Sequence, residues 1–157
     1  MTNAIRRMLR RDEGFTLIEL MVVVMIIAVL IAIAIPSFLG FRESAQDRGA
    51  QSEVRNVLLA EKAFWLENGD YTETAADITA FEPSAVLDAS PANGVYIDLN
   101  VADTDVVCIS RTSDSGTTFS VWESSASGTW YGATDLSAAD CPDTATGAPA
   151  GYVQGGW

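Results

Sequence analysis

The strongest pattern in the chain is an apolar run over residues 15–35, interrupted only by Thr16 and Glu19. A helix needs about 20 mostly apolar residues to cross a hydrocarbon core of about 30 Å, so this run is long enough to span a membrane. A basic block precedes it: Arg6, Arg7, Arg10 and Arg11. Because basic flanks stay in the cytoplasm, the pattern predicts a single membrane anchor with a cytoplasmic N-terminus.

From Phe38 the pattern becomes amphipathic and keeps a helical period. Six apolar residues share one face: Ala50, Val54, Val57, Leu58, Phe64 and Trp65. Glu61 falls on that same face, and the sequence offers no reason for it. A helix end is predicted at Asn68 and Gly69, since glycine adopts the left-handed cap conformation. Residues 15–68 would form one helix of roughly 80 Å, which Pro36 is expected to loosen because it lacks a backbone donor.

Beyond residue 69 the helical period ends. Residues 69–85 are predicted to form a connecting segment with one short helix, and an alternation of apolar and polar residues follows. Strands are predicted at residues 95–101, 106–111, 118–123 and 129–131. Short successive strands with tight turns predict an antiparallel sheet, whose apolar face would cover residues 54–65. The tail from Leu136 is rich in small and turn-forming residues. The predicted fold class is α+β: a long N-terminal helix, half membrane-spanning and half amphipathic, on a small antiparallel sheet with a loop-rich tail.

Composition narrows the function classes. The formal net charge is −12, and from residue 63 onward Arg111 is the only base, so electrostatic nucleic-acid binding is not expected. The chain contains no histidine, which excludes imidazole bases and His-ligated zinc. Paired carboxylates could by residue type still support glycosidase-like chemistry, but the sequence contains no catalytic motif. We therefore expect that the chain is not an enzyme and binds no cofactor.

Two further groups of residues were weighed as sites. Cys108 and Cys141 would form a disulfide in an exported domain, closing a loop of about 34 residues and adding roughly 3–4 kcal/mol of stability. The alternative is two unrelated buried thiols.

The acids that could supply calcium ligands are Asp103, Asp105, Asp135, Asp140 and Asp143. Their spacing matches no calcium-loop signature, so solvated turns and no metal are predicted.

Glu19 is the unusual residue of the apolar run, since an acid in a membrane segment costs free energy unless it has a partner. The stretch GFTLIE, residues 14–19, resembles the processing site of the type IV pilin family. This family includes filament pilins and the pseudopilins of type II secretion. A basic leader ends in Gly14, Phe15 follows, Glu19 lies four residues later, and Pro36 falls where many members have a helix-loosening proline.

The resemblance implies a processing pathway. A membrane-embedded prepilin peptidase would cut after Gly14 and methylate the new amine of Phe15 with S-adenosylmethionine. That amine would pair with Glu19 of a neighbouring subunit and set the assembly register, because mismatched docking leaves both charges unpaired. The alternative is that Glu19 only caps the first helical turn. The implied divisions are a removed leader (1–14), a transmembrane and assembly helix (15–36), its amphipathic continuation (37–68) and a globular part (69–157).

The resemblance therefore predicts a structural subunit of a type IV pilus. Its expected partners are copies of itself in a helical filament, the prepilin peptidase, the inner-membrane assembly machinery and, before assembly, the membrane. The precursor would reside in the inner membrane and the assembled subunit outside the cell. Two alternatives stay open: a major pseudopilin of a secretion or DNA-uptake system, and a single-pass binding module that never polymerises. In this family, a disulfide-bounded C-terminal region is more usual in pilins than in pseudopilins. Some pseudopilins of the family hold calcium near the C-terminus.

Overall fold

The computed structural model describes residues 14–100, 102–136 and 141–157. The predicted leader, apart from Gly14, and Asp140 of the tail therefore lie outside the described residues. Contacts divide the chain into two compact units, one ending at Phe41 and the other covering Arg42–Trp157. In chain order the elements are α1 (Leu17–Asn68), α2 (Ala75–Phe81), β1 (Tyr96–Asn100), β2 (Asp103–Thr112), β3 (Thr118–Ser124) and β4 (Gly128–Gly132).

Helix α1 continues through Pro36 without a break. The missing N–H of Pro36 would have bonded the carbonyl of Ala32, four residues back, so that carbonyl loses its usual helical donor. At the other end Gly69 takes a left-handed φ of +89°, and its N–H donates to the Trp65 carbonyl at 2.8 Å. The predicted helix end at Asn68 is confirmed.

The four strands form one antiparallel sheet in the order β1-β2-β3-β4. All four predicted strands are present, and the α+β prediction is confirmed. Strand β2 begins at Asp103, three positions before the predicted start at Val106. Its first residues are polar and carry no apolar alternation. They are held by other bonds instead, including one from the Thr104 hydroxyl to Asp70 at 2.8 Å.

One face of the sheet packs on the second half of α1, as predicted. The helix contributes Val54, Val57, Leu58 and Ala60, and the sheet contributes Val107, Ile109 and Val121. Polar contacts join the same layers at their edges. Arg111 donates to Glu53 at 2.7 Å, and Lys62 lies 3.1 Å from Glu123.

The opposite face of the sheet is covered by the C-terminal tail, which the sequence analysis described only as loop. This second core contains Val106, Cys108, Trp122, Leu136, Cys141 and Tyr152. Cys108 and Cys141 form a disulfide and are both fully buried. The sheet is therefore a middle layer between helix and tail.

The tail is fixed to the sheet at several points along its length. The Trp122 indole donates to the Pro142 carbonyl at 2.8 Å, and Val153 exchanges two backbone hydrogen bonds with Tyr131 of β4. Gly132 is required where Tyr152 crosses β4, because a Cβ at that position would lie 2.2 Å from the tyrosine ring. The tail thus extends the sheet at its β4 edge.

Candidate assembly site

The candidate assembly site lies at the start of α1, where Thr16 directly precedes the first helical residue. Oε2 of Glu19 accepts hydrogen bonds from the Thr16 N–H at 2.8 Å and from the Thr16 hydroxyl at 2.7 Å. In return, Oγ1 of Thr16 accepts from the Glu19 N–H at 3.3 Å. This reciprocal pattern is a capping box, in which side chains satisfy backbone donors that the first turn leaves free.

The capping box gives Glu19 a partner inside its own chain. The acid in the first turn also interacts favourably with the positive end of the helix dipole. The capping alternative weighed from the sequence is therefore present in the structure. It does not exclude pairing with a second molecule. Both hydrogen bonds use Oε2, and a carboxylate can accept about four, so Oε1 is left for another donor.

Gly14 and Phe15 precede the capped turn. The Phe15 side chain is 82% exposed, and a Cβ added at Gly14 would meet no atom of the described chain within 4 Å. Among the described residues, packing therefore does not require glycine at position 14.

The predicted site residues fall into separate places. Gly14, Phe15 and Glu19 lie together around the first turn of α1, and Pro36 lies further along the same helix. The disulfide belongs to the second unit. Thr16 is the functional residue that sequence reasoning missed. The T-x-x-E spacing at residues 16–19 was the signal that could have identified it.

The helix that follows the capped turn is apolar on all sides. Its large apolar side chains from Leu17 to Phe41 are each between 49% and 75% exposed, and Glu19 is the only charged residue among residues 17–41. By length and composition it can cross a membrane. A contiguous exposed apolar surface of this size requires lipid or protein to cover it.

Two of the acids predicted to be solvated, one in β2 and one in the tail, accept hydrogen bonds from threonines of the tail. Asp103 accepts from the Thr144 hydroxyl and N–H, which holds the pKa of its carboxyl below the ordinary value. Asp143 accepts from the Thr146 N–H at 2.6 Å, and hydrogen bonds from Thr146 lower its pKa in the same way. Within the described ranges, no group of three or more Asp, Glu, His or Cys side chains converges as metal ligands would.

Comparison with known proteins indicates the family to which this chain is similar. A family model, the prokaryotic N-terminal methylation motif, matches residues 9–35. The type IV major pilin protein PilA of Myxococcus xanthus is 37% identical over 114 residues, which is 66% of this chain and 50% of that protein. These matches support the type IV pilin family for this chain. The recognition made from residues 14–19 is confirmed.

Two further relatives represent the two branches of the family. The type IV wide pilus major component PilA4 of Thermus thermophilus is 33% identical over 88 residues, 56% of this chain and 64% of that protein. The type II secretion system core protein G of Pectobacterium carotovorum is 31% identical over 83 residues, 53% of each chain. The matches thus span between 50% and 64% of these relatives' own length.

Proposed function

We propose that the chain is a structural subunit of a type IV pilus and has no enzymatic role. The observation that carries the proposal is the exposed apolar helix, which begins with a capped carboxylate and is joined in one chain to a folded, disulfide-bonded body. Such a helix needs a continuous apolar environment, and parallel copies of itself in a filament core supply one. The pilin relatives and the methylation motif support this assignment.

The proposed pathway has two chemical steps at one bond. Hydrolysis of the peptide bond between Gly14 and Phe15 by a prepilin peptidase removes the leader and frees the amine of Phe15. Methyl transfer from S-adenosylmethionine to that amine then gives the mature N-terminus. The precursor resides in the inner membrane through residues 15–36, and residues 37–68 continue the helix into the body. The assembly machinery then adds the subunit to an extracellular filament of copies of this chain.

The proposed role of Glu19 combines the cap with assembly. Its Oε2 stays in the capping box, while the carboxylate faces the methylated amine of an adjacent subunit. In an apolar core an unpaired ammonium or carboxylate is costly, so docking that brings the two together is favoured over any other register. The cap lowers the cost of transferring Glu19 out of water before its charge partner arrives.

Processing and export can be tested on protein taken from cells. Surface filaments sheared from cells should contain this chain with Phe15 as an N-methylated first residue, measured by intact mass and N-terminal peptide analysis. An unprocessed N-terminus, or a cut inside the apolar run, would contradict the pathway. Correctly processed chain found only in the membrane fraction would instead favour the binding module that does not polymerise.

The second candidate is a major pseudopilin, favoured by the similarity to core protein G of a type II secretion system. Calcium held near the C-terminus would favour this branch. In this chain Asp103 and Asp143 already bond Thr144 and Thr146.

We expect a chelator to leave the melting temperature of the purified, oxidised protein within about 2 °C of its value in millimolar calcium, because we expect no calcium to bind. A ligand that binds only the folded state would raise that temperature. Differential scanning calorimetry of the protein in detergent provides the measurement, with magnesium as the control ion. A large rise specific to calcium would move the assignment to the pseudopilin.

A further inference from the structure

Glu61 is a carboxylic acid in the hydrophobic core of the second unit. Its side chain is fully buried on the face of α1 that carries Val57 and Leu58. Acidic residues are almost never fully buried unless they are paired. The proposed assembly function makes no use of this residue, which lies far along the helix from the capped turn.

The hydrogen bonds of Glu61 leave one of its oxygens without a partner. Oε2 accepts from the backbone N–H of Thr72 at 3.2 Å. Oε1 is buried and has no hydrogen-bond partner among the described residues. A neutral acid fits this arrangement better than an anion, because its carbonyl oxygen accepts from Thr72 and only its hydroxyl remains unbonded.

The charged groups around Glu61 also oppose its ionisation. The segment that packs against it, residues 70–82 (hereafter the linker), contributes Glu73 and Asp77, whose negative charges both act on the Glu61 carboxyl. Glu123 lies on the sheet side. The carboxyl groups of Glu123 and Glu61 both interact with the phenol of Tyr71.

The nearest base does not neutralise the buried acid. Lys62 pairs with Glu123 at 3.1 Å and donates to Thr129 at 2.8 Å. Burial raises the pKa of Glu61 to about 8. The hydrogen bond from the Thr72 N–H offsets part of the effect of burial, and repulsion from Asp77 and Glu73 raises the pKa further.

The linker is held to the helix by contacts around this acid. Tyr71 stacks on Trp65 of α1 with ring centroids 6.3 Å apart, and Ile78 of α2 is fully buried in the same core. The Thr72 hydroxyl donates to Asp77 at 3.1 Å and accepts from the Thr74 N–H at 3.0 Å. Thr72 thus connects the turn before α2 directly to Glu61.

We propose that Glu61 is a proton-dependent switch: protonated, it allows the linker to pack on α1, and ionised, it favours release of the linker. An anion at this position has one hydrogen bond, two carboxylates nearby and no counter-ion among the residues that the structure describes. Movement of the linker away from the helix admits water to the carboxylate and separates it from Glu73 and Asp77. The proposal concerns the folded body and does not depend on filament assembly.

The sign of the pH dependence follows from the two states. The packed state holds the proton up to about pH 8, whereas an open, solvated glutamate releases it at its ordinary value of 4.5. Packing is therefore fully stabilised below the ordinary pKa and is lost as the pH rises through the interval. The opening equilibrium should increase by up to about tenfold per pH unit there and should change little above it.

Hydrogen exchange of the mature full-length protein in detergent tests the switch. Mass spectrometry at pH 5, 7 and 9, corrected for intrinsic exchange rates, should show protection of linker peptides falling by at least about tenfold between pH 5 and pH 9. Peptides from β3 serve as the internal reference and should keep their protection. Glu61→Gln, which keeps an acceptor for Thr72, should make linker protection independent of pH. Glu67→Gln, an exposed acid of the same helix, should behave like the wild type.

Three results would overturn the switch. The first is linker protection that does not change with pH in the wild type. The second is a pH-dependent loss that persists in Glu61→Gln and, as a second neutral replacement, in Glu61→Met. The third is an equal loss in linker and β3 peptides, which would show that ionisation unfolds the whole body instead of releasing one segment.

Discussion

Glu19→Val is expected to be processed and retained in the membrane but to form almost no filaments when it is the only subunit expressed. In the proposed filament, the substitution leaves the methylated amine of the neighbouring subunit without its counter-charge in an apolar core. Removing one partner of a buried ion pair costs about 3–5 kcal/mol, which is more than about a hundredfold in an association constant. Filaments sheared from cells, quantified against total chain by immunoblot, give the measurement.

Because Glu19 also caps α1, two further variants are needed to separate its roles. Glu19→Gln can still serve the capping box but carries no charge. Thr16→Val removes the hydroxyl of the cap and leaves the charge, at a cost of about 1 kcal/mol. We expect Glu19→Gln to fail in assembly as Glu19→Val does, and Thr16→Val to assemble. Since both positions lie close to the proposed cleavage site, N-terminal analysis must first confirm that each variant is processed.

The opposite ranking would contradict the assignment of register to charge. If Glu19→Gln forms filaments at the wild-type level while Thr16→Val does not, the carboxylate acts through the helix cap alone. The cap itself is present in the structure, as three hydrogen bonds between Thr16 and Glu19.

Periodic segments of the chain were predictable because local pattern and tertiary packing agree in them. Val54, Val57 and Leu58 recur at helical spacing and are buried against the sheet. The alternation around Val107 and Ile109 places both on the helix-facing side of β2. In each case a single apolar face needs a single cover, so the period of the sequence identifies what is buried.

The layer formed by the tail was not predictable in the same way. The tail contributes Leu136, Cys141 and Tyr152 to the second core, and these residues share no period. Their packing depends on the disulfide, on the Trp122 hydrogen bond to Pro142 and on the close approach of Tyr152 to Gly132. Only the disulfide was indicated by the sequence, through its two cysteines. The other contacts join residues distant in sequence, and no local pattern predicts them.

Glu61 shows the same limit within a segment that was otherwise predicted correctly. Its position on the apolar face was evident, but its partner, the Thr72 N–H, belongs to a linker without periodicity. Burial raises the pKa of the acid, and the charges of Asp77 and Glu73 raise it further. A side chain that contradicts the pattern around it therefore identified a place where tertiary contacts decide the chemistry.

Trp122→Ala is expected to lower the free energy of unfolding of the body by about 3–5 kcal/mol, the usual cost of truncating a buried aromatic residue. Trp122 is fully buried between the sheet and the tail, and its indole holds the Pro142 carbonyl next to Cys141. Denaturant unfolding of the oxidised full-length protein in detergent gives the measurement. Trp130→Ala, at the partly buried cross-strand neighbour, is the matched control and should cost less than half as much.

The same substitution should make the disulfide easier to reduce under native conditions. Both sulfur atoms are buried, so a reductant reaches them only when the tail opens. Losing the contacts of Trp122 favours that opening, and about 1.4 kcal/mol corresponds to a tenfold faster reduction when opening is in rapid equilibrium. Alkylation trapping of free thiols over time should show an increase of at least that size for Trp122→Ala and a smaller one for Trp130→Ala. Equal reduction rates in both variants and the wild type would show that Trp122 does not hold the tail, whatever its contribution to stability.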